Sequence, residues 1–411
     1  MHLKKLNDRG FALITAIIFS TGLLTFAVAY VDLLLSERRL VQSSQNMLSS
    51  ESLAEAGMEE AMWEYNYGGA DFTGWTTSGT TRSKTGVSFT TTGGTTVGTY
   101  DVTVTGVGTT TPEITSVSNL SGVGGTALSS TVKSKLAQRA RYARAITTKN
   151  SVTLSGNAYT DSYNSSGSTA YGGSNIAQNG DVSTNSTSTP AISLTGNAAI
   201  KGDAGTGSGG SISMTGNAYV TGSQSSSVDN AFTSNTTVAG GGSDYSGNGN
   251  GTAALTTGTY SSFSLSGNFV ATVTGNVTLN ITSTGSGAFG VSGNAYISVA
   301  SGSTLTINTN GPVSLAGNGI VNSAVSTNVQ AVTINGSGSA ATVTLSGNGA
   351  FAGLVNTPDA AVTVTGNGAV YGAIIGSSFT SSGNGGVHYD ENLATNGPGS
   401  GYKLDWMRKI D

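Results

Sequence analysis

The chain has 411 residues, with 61 glycines, no cysteine, 9% charged side chains and a formal net charge of -4. The missing cysteines exclude disulfides, zinc-thiolate centres and cysteine nucleophiles, and the mild negative charge argues against nucleic acid as a general partner. So glycine-rich a chain invites a reading of disorder, but disorder brings high charge and few β-branched residues; Val, Ile and Thr are dense here, and ordered β structure in two or three units is expected.

At the N-terminus Lys4, Lys5 and Arg9 form a short basic head, and Phe11 to Val31 carry no charge. A spanning helix needs roughly 20 apolar residues, and basic residues on the short side orient that head to the cytoplasm. Apolar residues continue at three-and-four spacing through Leu40, Met47, Ala54, Met58, Ala61 and Tyr65, which predicts one helix over 11–66, stopped at Tyr67-Gly68-Gly69. A secretory signal competes with this reading, because Ala27-Val28-Ala29 fits a small-x-small cleavage site. Glu51, Glu55 and Glu59 fall at i, i+4 and read as a solvated face. Gly57 costs about 1 kcal/mol relative to Ala inside a helix, and close packing would explain it.

Residues 67–148 read as a small β-rich connector, with period-two alternation over 87–92, 99–105 and 113–117 punctuated by Gly93-Gly94 and Thr111-Pro112. An antiparallel sheet against the helix is implied. The basic run 131–149 fits a strand through Lys133/Lys135 and Arg139/Arg141, and a helix through Leu128, Val132, Leu136 and Ala140. A solvated or edge-protecting face is its simplest role.

From 149 to 390 one phrase repeats. Val152-Thr153-Leu154-Ser155-Gly156-Asn157 returns as Ile192-Ser193-Leu194-Thr195-Gly196-Asn197, as Ile212-Ser213-Met214-Thr215-Gly216-Asn217, and in looser forms up to Val362-Thr363-Val364-Thr365-Gly366-Asn367. Each phrase is a short strand closed by two residues that tolerate left-handed backbone, and intervals near twenty residues are those of a solenoid. The predicted fold is mainly β: a long N-terminal helix, the connector, and a right-handed parallel β-helix, with a β-sandwich as the alternative. Parallel stacking places Leu154, Leu194, Met214, Leu265, Leu315, Leu345 and Val364 in one interior column and the asparagines in a ladder. Residues 391–411 form a tail expected to cap one end of the stack. Tyr159, Tyr219 and Tyr296 share one slot of the phrase, as an internal stack or as an aromatic stripe for sugar rings.

Catalytic parts are scarce. Between Lys149 and Lys403 the only basic side chains are Lys201 and His388, so a positive clamp or strong base is lacking. Asp203, Asp229, Asp244, Asp359, Asp390 and Glu391 read as turn carboxylates, and His388 beside Asp390 as a structural histidine. No enzyme, metal or cofactor is expected.

The segment Arg9-Gly10-Phe11-Ala12-Leu13-Ile14-Thr15 and the apolar run behind it resemble a type IV prepilin N-terminus of class III. Leu53-Ala54-Glu55-Ala56-Gly57-Met58-Glu59-Glu60-Ala61 resembles the helix of PilX-like minor pilins, and Thr153-Leu154-Ser155-Gly156-Asn157 with Gly385-Gly386-Val387-His388-Tyr389-Asp390-Glu391 resembles the C-terminal β-helical region of some of them. The resemblance implies a leader over 1–10, cleavage by prepilin peptidase between Gly10 and Phe11, and N-methylation of Phe11. It also implies a single pass of the inner membrane before assembly into a periplasmic or extracellular filament. Other pilin or pseudopilin subunits are the implied partners, and a glycan or surface ligand is a further one. Major pilins carry glutamate at the fifth mature position; Thr15 stands there, as in subunits that cap or initiate a filament. The alternative is a secreted or surface β-helix, an adhesin or weak glycan-active protein, released after Ala29.

Overall fold

The computed structural model describes residues 3–66, 72–90, 96–109, 111–121, 127–323, 326–347, 349–397 and 399–410. It divides into two units: Met1–Arg139 with Gly401–Asp411, and Ala140–Ser400. The second is thus an insertion in the chain of the first.

In the first unit a single helix α1 runs over Leu3–Asn66, ending where the apolar spacing stops; the Tyr67-Gly68-Gly69 stop and the Gly93-Gly94 punctuation lie outside the described residues. Strands β1 (Thr76–Ser78), β2 (Thr81–Thr90), β3 (Thr96–Thr105), β4 (Glu113–Ser121) and β5 (Ala127–Ala140) follow in a sheet of sequential order, with the last strand of the chain, Gly399–Ile410, beside β5. The pairs β1–β2, β2–β3, β3–β4 and β4–β5 are antiparallel. One face of α1 lays Leu53, Ala54, Met58, Ala61 and Tyr65 on Tyr100, Val102, Val104, Ile114, Val132 and Leu136, each such burial contributing about 1.5–3 kcal/mol for the larger side chains.

Two expectations change here. The ambiguous basic run begins as strand β5, with Val132, Ser134 and Leu136 inward and Lys133 and Lys135 between them half-buried. It lies inside the sheet, between β4 and the last strand, so its charges guard no edge. The tail of 391–411, expected to close the repeat stack, divides: Leu393 is buried in the core of the repeats, while Gly399–Ile410 supplies that last strand. Trp406 gives its carbonyl to Ser134 Oγ at 2.7 Å, the Tyr402 amide donates to Asn66 Oδ1 at 2.8 Å, and Lys409 reaches Glu51 at 3.3 Å. Ser134 and Trp406 are 272 positions apart, a distance no local spacing rule bridges.

Gly57 is explained by the same packing. A Cβ built on it would lie 2.3 Å from Ser116 Oγ and 2.6 Å from Tyr100 Cδ2, so the helix backbone rests directly on the sheet. Glu60 fixes the register of this contact, accepting from Lys84 Nζ at 2.6 Å and from the Tyr100 hydroxyl at 2.8 Å.

Strands of the second unit pair in parallel. Along one column the register runs Gly247, Leu265, Val291, Leu315, Leu345, Val364, Ser381, Leu154, Leu194, Met214. The predicted interior residues are therefore column mates, and the antiparallel sandwich is excluded. Their order is not that of the chain. The strand Val152–Gly156 sits on residues 379–383, the last rung of the repeats, and carries Ile192–Gly196 and then Ile212–Gly216 on its far side. The chain then returns to the opposite end of the stack, where Tyr245–Gly247 begins the climb through Phe263–Leu265 and Phe289–Val291 back towards 379–383.

That return is made by a strap, residues 226–244. It is pinned at intervals: the Val228 amide donates to Thr206, the Asn230 amide to Asn185 Oδ1, Asn235 Nδ2 to the carbonyls of Gly336 and Asn356, and the Val238 amide to Asn310 Oδ1. Asparagine suits this task because one side chain offers both donor and acceptor to an unpaired backbone.

The turn glycines are constrained twice. Gly156, Gly196 and Gly216 have φ of 74°, 80° and 79°, and a Cβ on each would come within 3.0 Å of the carbonyl of the glycine one rung below. Beside them the asparagines form the expected ladder: Asn217 Nδ2 donates to Asn197 at 2.9 Å, Asn197 to Asn157 at 2.8 Å, Asn157 to Asn384 at 2.6 Å and Asn384 to Asn367 at 2.7 Å. Asn348, a further member of the phrase, lies outside the described residues.

Gly57→Ala is expected to destabilise the first unit by about 1–3 kcal/mol through overpacking, against the roughly 1 kcal/mol that alanine adds to a free helix. Denaturation followed by tryptophan fluorescence reads this unit alone, because Trp63, Trp75 and Trp406 all belong to it. Ser116→Gly in the same chain should restore part of the loss.

Candidate functional site

Two regions carry features beyond packing, one in each unit. In the first, α1 exposes large apolar side chains around its whole circumference from Phe11 to Leu35, among them Phe11 at 76%, Phe19 at 77% and Phe26 at 75%. The helix is long and apolar enough here to cross a membrane, an 18-residue stretch of it averaging a hydropathy of 2.2. Its hydroxyls are already satisfied: Thr15 Oγ1 donates to the Phe11 carbonyl at 2.8 Å, Thr21 to Ile17 at 2.9 Å and Thr25 to Gly22 at 2.9 Å. Hydroxyls bonded to their own helix suit a medium without water. Gly10, Phe11 and Thr15 all lie within the continuous helix.

In the second unit, the strand Gly386–Asp390 pairs with Tyr159–Tyr163, placing His388 opposite Asp161. His388 Nδ1 lies 2.5 Å from Asp161 Oδ1, and the Tyr171 hydroxyl donates to the other carboxylate oxygen at 2.8 Å. Tyr171, Tyr371 and Tyr159 enclose the imidazole, at ring separations of 4.1, 4.8 and 5.6 Å. Both His388 and Asp161 are buried. Burial raises the phenols of Tyr159 and Tyr171, and the hydrogen bond to Asp161 raises Tyr171 further; both stay protonated, and Tyr171 serves as a donor to Asp161.

Asp390 is therefore not the partner of His388. It accepts from the Ser165 amide at 3.0 Å and from Ser165 Oγ at 2.6 Å, while Glu391 accepts from Ser162 Oγ at 2.7 Å and Asn179 Nδ2 at 2.8 Å. The sequence reading missed Asp161, because its pairing with His388 spans 227 positions. A signal did exist: Tyr159–Tyr163 and Gly386–Asp390 each carry a titratable side chain at the central position. The cluster closes the join between the first and last rungs, and it presents no nucleophile beside the imidazole.

The three predicted tyrosines occupy the same kind of strand without touching. Ala199 stands between Tyr159 and Tyr219 in the register, and Tyr296 pairs with Val270 and Gly319 in a separate sheet. The stripe is broken because the rung between the first two carries Ala199 in that slot and the third lies in another sheet. Tyr159 packs over Gly386 and under Lys201, whose Nζ is 4.6 Å from the ring centroid; Tyr219 is 46% exposed. Among the described residues no group of three or more His, Asp or Glu gathers as a metal-ion site.

A family profile described as a domain of unknown function, DUF7305, matches residues 225–396. Its span opens at the strap and closes just after the join. No curated protein matches the chain. Among solved structures, the chain is similar to the competence-associated pilin ComZ from Thermus thermophilus, at 11% identity over 89% of this chain and 97% of that one, with a TM-score of 0.27.

Asp161→Ala leaves His388 Nδ1 buried without a partner and takes the acceptor from the half-buried Tyr171 hydroxyl, at a cost of about 3 kcal/mol or more. Asn157→Ala, on the exposed ladder, should cost only about 0.5–1.5 kcal/mol. Urea unfolding followed by circular dichroism at a β-sheet wavelength ranks the two; a milder effect of the Asp161 change would remove the central part given to this cluster.

Proposed function

We propose that the chain is a minor pilin or pseudopilin, a non-enzymatic component of a type IV pilus or type II secretion-like filament. The observation that carries this reading is the division of α1. Its first half exposes apolar side chains on every face, and its second half continues unbroken onto an antiparallel sheet. Exposed apolar area costs about 25 cal/mol per Å² in water, so the first half needs lipid around it before assembly and other helices of its kind afterwards. This helix on this sheet resembles the stem and globular domain of a pilin.

On that reading prepilin peptidase cuts between Gly10 and Phe11 at the inner membrane, and the methylated Phe11 begins the mature stem. Thr15, where a shaft subunit carries an acid, suits a place at the tip, where no subunit ahead offers an amine to neutralise. The second unit is then read as a parallel β-helix, of right hand because parallel crossovers are right-handed in nearly all cases. It is displayed outside the cell for adhesion or contact with a secreted substrate, and Tyr219 is the most exposed of the three tyrosines offered to sugar rings. Release after Ala29 as a free β-helix is the competing reading; it would leave Tyr30, Val31 and Leu33 to Leu35 in water, with 42–56% of each exposed.

Mass spectrometry of the native protein separates the two. The expected mass is that of a chain starting at N-methylated Phe11; a chain starting at Tyr30 overturns the filament assignment. Gly10→Val should accumulate an uncut membrane precursor, and Thr15→Glu should move the protein from filament ends into the shaft, as immunogold labelling would register.

A further inference from the structure

In the second unit a groove of about 390 Å³ lies between the strap and the column of strands Asn276–Ile281, Thr304–Thr309 and Val332–Gly336. Its floor is a second asparagine ladder. Asn335 Nδ2 donates to Asn308 Oδ1 at 3.1 Å, and Asn308 Nδ2 to Asn280 Oδ1 at 2.9 Å. Asn308 spends one N–H and one lone pair within the ladder, Asn335 does the same with Asn356 as its further neighbour at 3.5 Å, and Asn280 spends a lone pair, which leaves each amide a donor and an acceptor for whatever lies in the groove. The rungs repeat at ~4.8 Å. The exposed Thr236 and Thr237 of the strap add hydroxyls to the opposite wall.

Arg141 also lines this groove. Other cations of the unit are engaged: Arg144 donates to Asn230 at 3.1 Å, Lys149 pairs with Asp359 at 2.5 Å, and Lys201 covers Tyr159. Among the described residues Arg141 has neither hydrogen bond nor ion pair, and unlike Lys201 it has no aromatic ring beneath it; no carboxylate lines the groove with it. Arg141 is half-buried, and its guanidinium keeps its donors open to the groove. Its planar fork of donors is shaped for a carboxylate taken in two parallel hydrogen bonds.

We infer that this groove binds a segment of an acidic polysaccharide, one uronate carboxylate on Arg141 and the ring hydroxyls of successive residues on Asn280, Asn308 and Asn335. A run of amides that each offer donor and acceptor matches the paired hydroxyls of a sugar, and the rung spacing is close to the length of a pyranose ring. Nucleic acid fits worse: one guanidinium in a chain of net charge -4 faces too many phosphates, and no aromatic platform lines the groove for bases. The site deepens the adhesive reading of the second unit. It does not depend on how the N-terminus is processed, so the mature mass and the binding assay fail independently.

The test is calorimetric titration of the full chain in detergent micelles with trimers of galacturonic, glucuronic and mannuronic acid, with the galacturonate methyl ester, and with a single-stranded oligonucleotide. At least one acid trimer is expected to bind, with the ester weaker by on the order of tenfold. Arg141→Ala should lose about the same factor for the acid and little for the ester, and Arg141→Lys should fall between. Thr237→Trp, filling the groove from the strap without touching Arg141, should abolish binding. Absence of heat with all three acids at millimolar concentration, equal binding by Arg141→Ala, or a preference for the oligonucleotide would each overturn the assignment.

Discussion

The second unit depends on one parallel pairing, the strand Val152–Gly156 laid in register on residues 379–383. It joins the beginning of the repeats to their end. Rungs of a stack bury their apolar faces only against neighbours, so an isolated short stack is marginal. Through this pairing the rungs at 152, 192 and 212 and those from 245 to 379 share a single core, continuous from Phe263 to Ile192. The polar chemistry of the unit gathers at the same place. His388 on Asp161, Ser165 on Asp390, Asn157 on Asn384 and the Tyr389 hydroxyl on the Tyr142 carbonyl at 2.8 Å all cross it. Apolar rungs would tolerate several registers, whereas buried donors and acceptors have one satisfied arrangement.

The strap is a geometric consequence of that closure. With three rungs built outward from the join, the chain can complete the stack only by crossing back along it and starting again at the far end. Such a crossing leaves backbone groups unpaired, and the asparagines at 185, 230, 235 and 310 supply the missing partners. Contacts made this way are remote in sequence, which favours slow folding. The same crossing creates the groove beside Asn280, Asn308 and Asn335, since a strap held at a few points cannot lie flat against a column of amides.

Membership of the columns was legible in the sequence; their order was not. Leu154, Leu194 and Leu345 occupy the same place in the phrase, and parallel stacking with a side-chain period of two then forces them onto one line. Because every rung carries nearly the same phrase, nothing local says that Leu154 neighbours Ser381 and that Met214 does not neighbour Leu265. His388 fell to the same ambiguity. Asp390, two residues on, lies on its side of the strand, but the side chain that meets it belongs to the next rung. Gly57 was legible as an anomaly, and the sheet beneath it supplied the cause. The tail Gly399–Ile410 was the least legible element, since its alternation suits any sheet edge and its partner strand lies far upstream.

The span of the family match follows the same physics. Residues 225–396 contain the strap and the rungs from 245 to 390, a segment whose lower end is closed by Tyr245 stacked on Phe263 at 4.7 Å, itself stacked on Phe289 at 4.8 Å. Its upper end is the edge formed by 379–383 and Gly386–Asp390, where His388 and Asp390 point to partners outside the span. In this chain the residues from 146 to 225 cover that edge, and the opening moves outward to Ile212–Gly216, where Met214 is 40% exposed and the polar cluster is no longer at the boundary. The three preceding rungs thus act as a cap for the matched segment, replacing an edge that holds an unpaired histidine and carboxylate with one that exposes a methionine and a tyrosine.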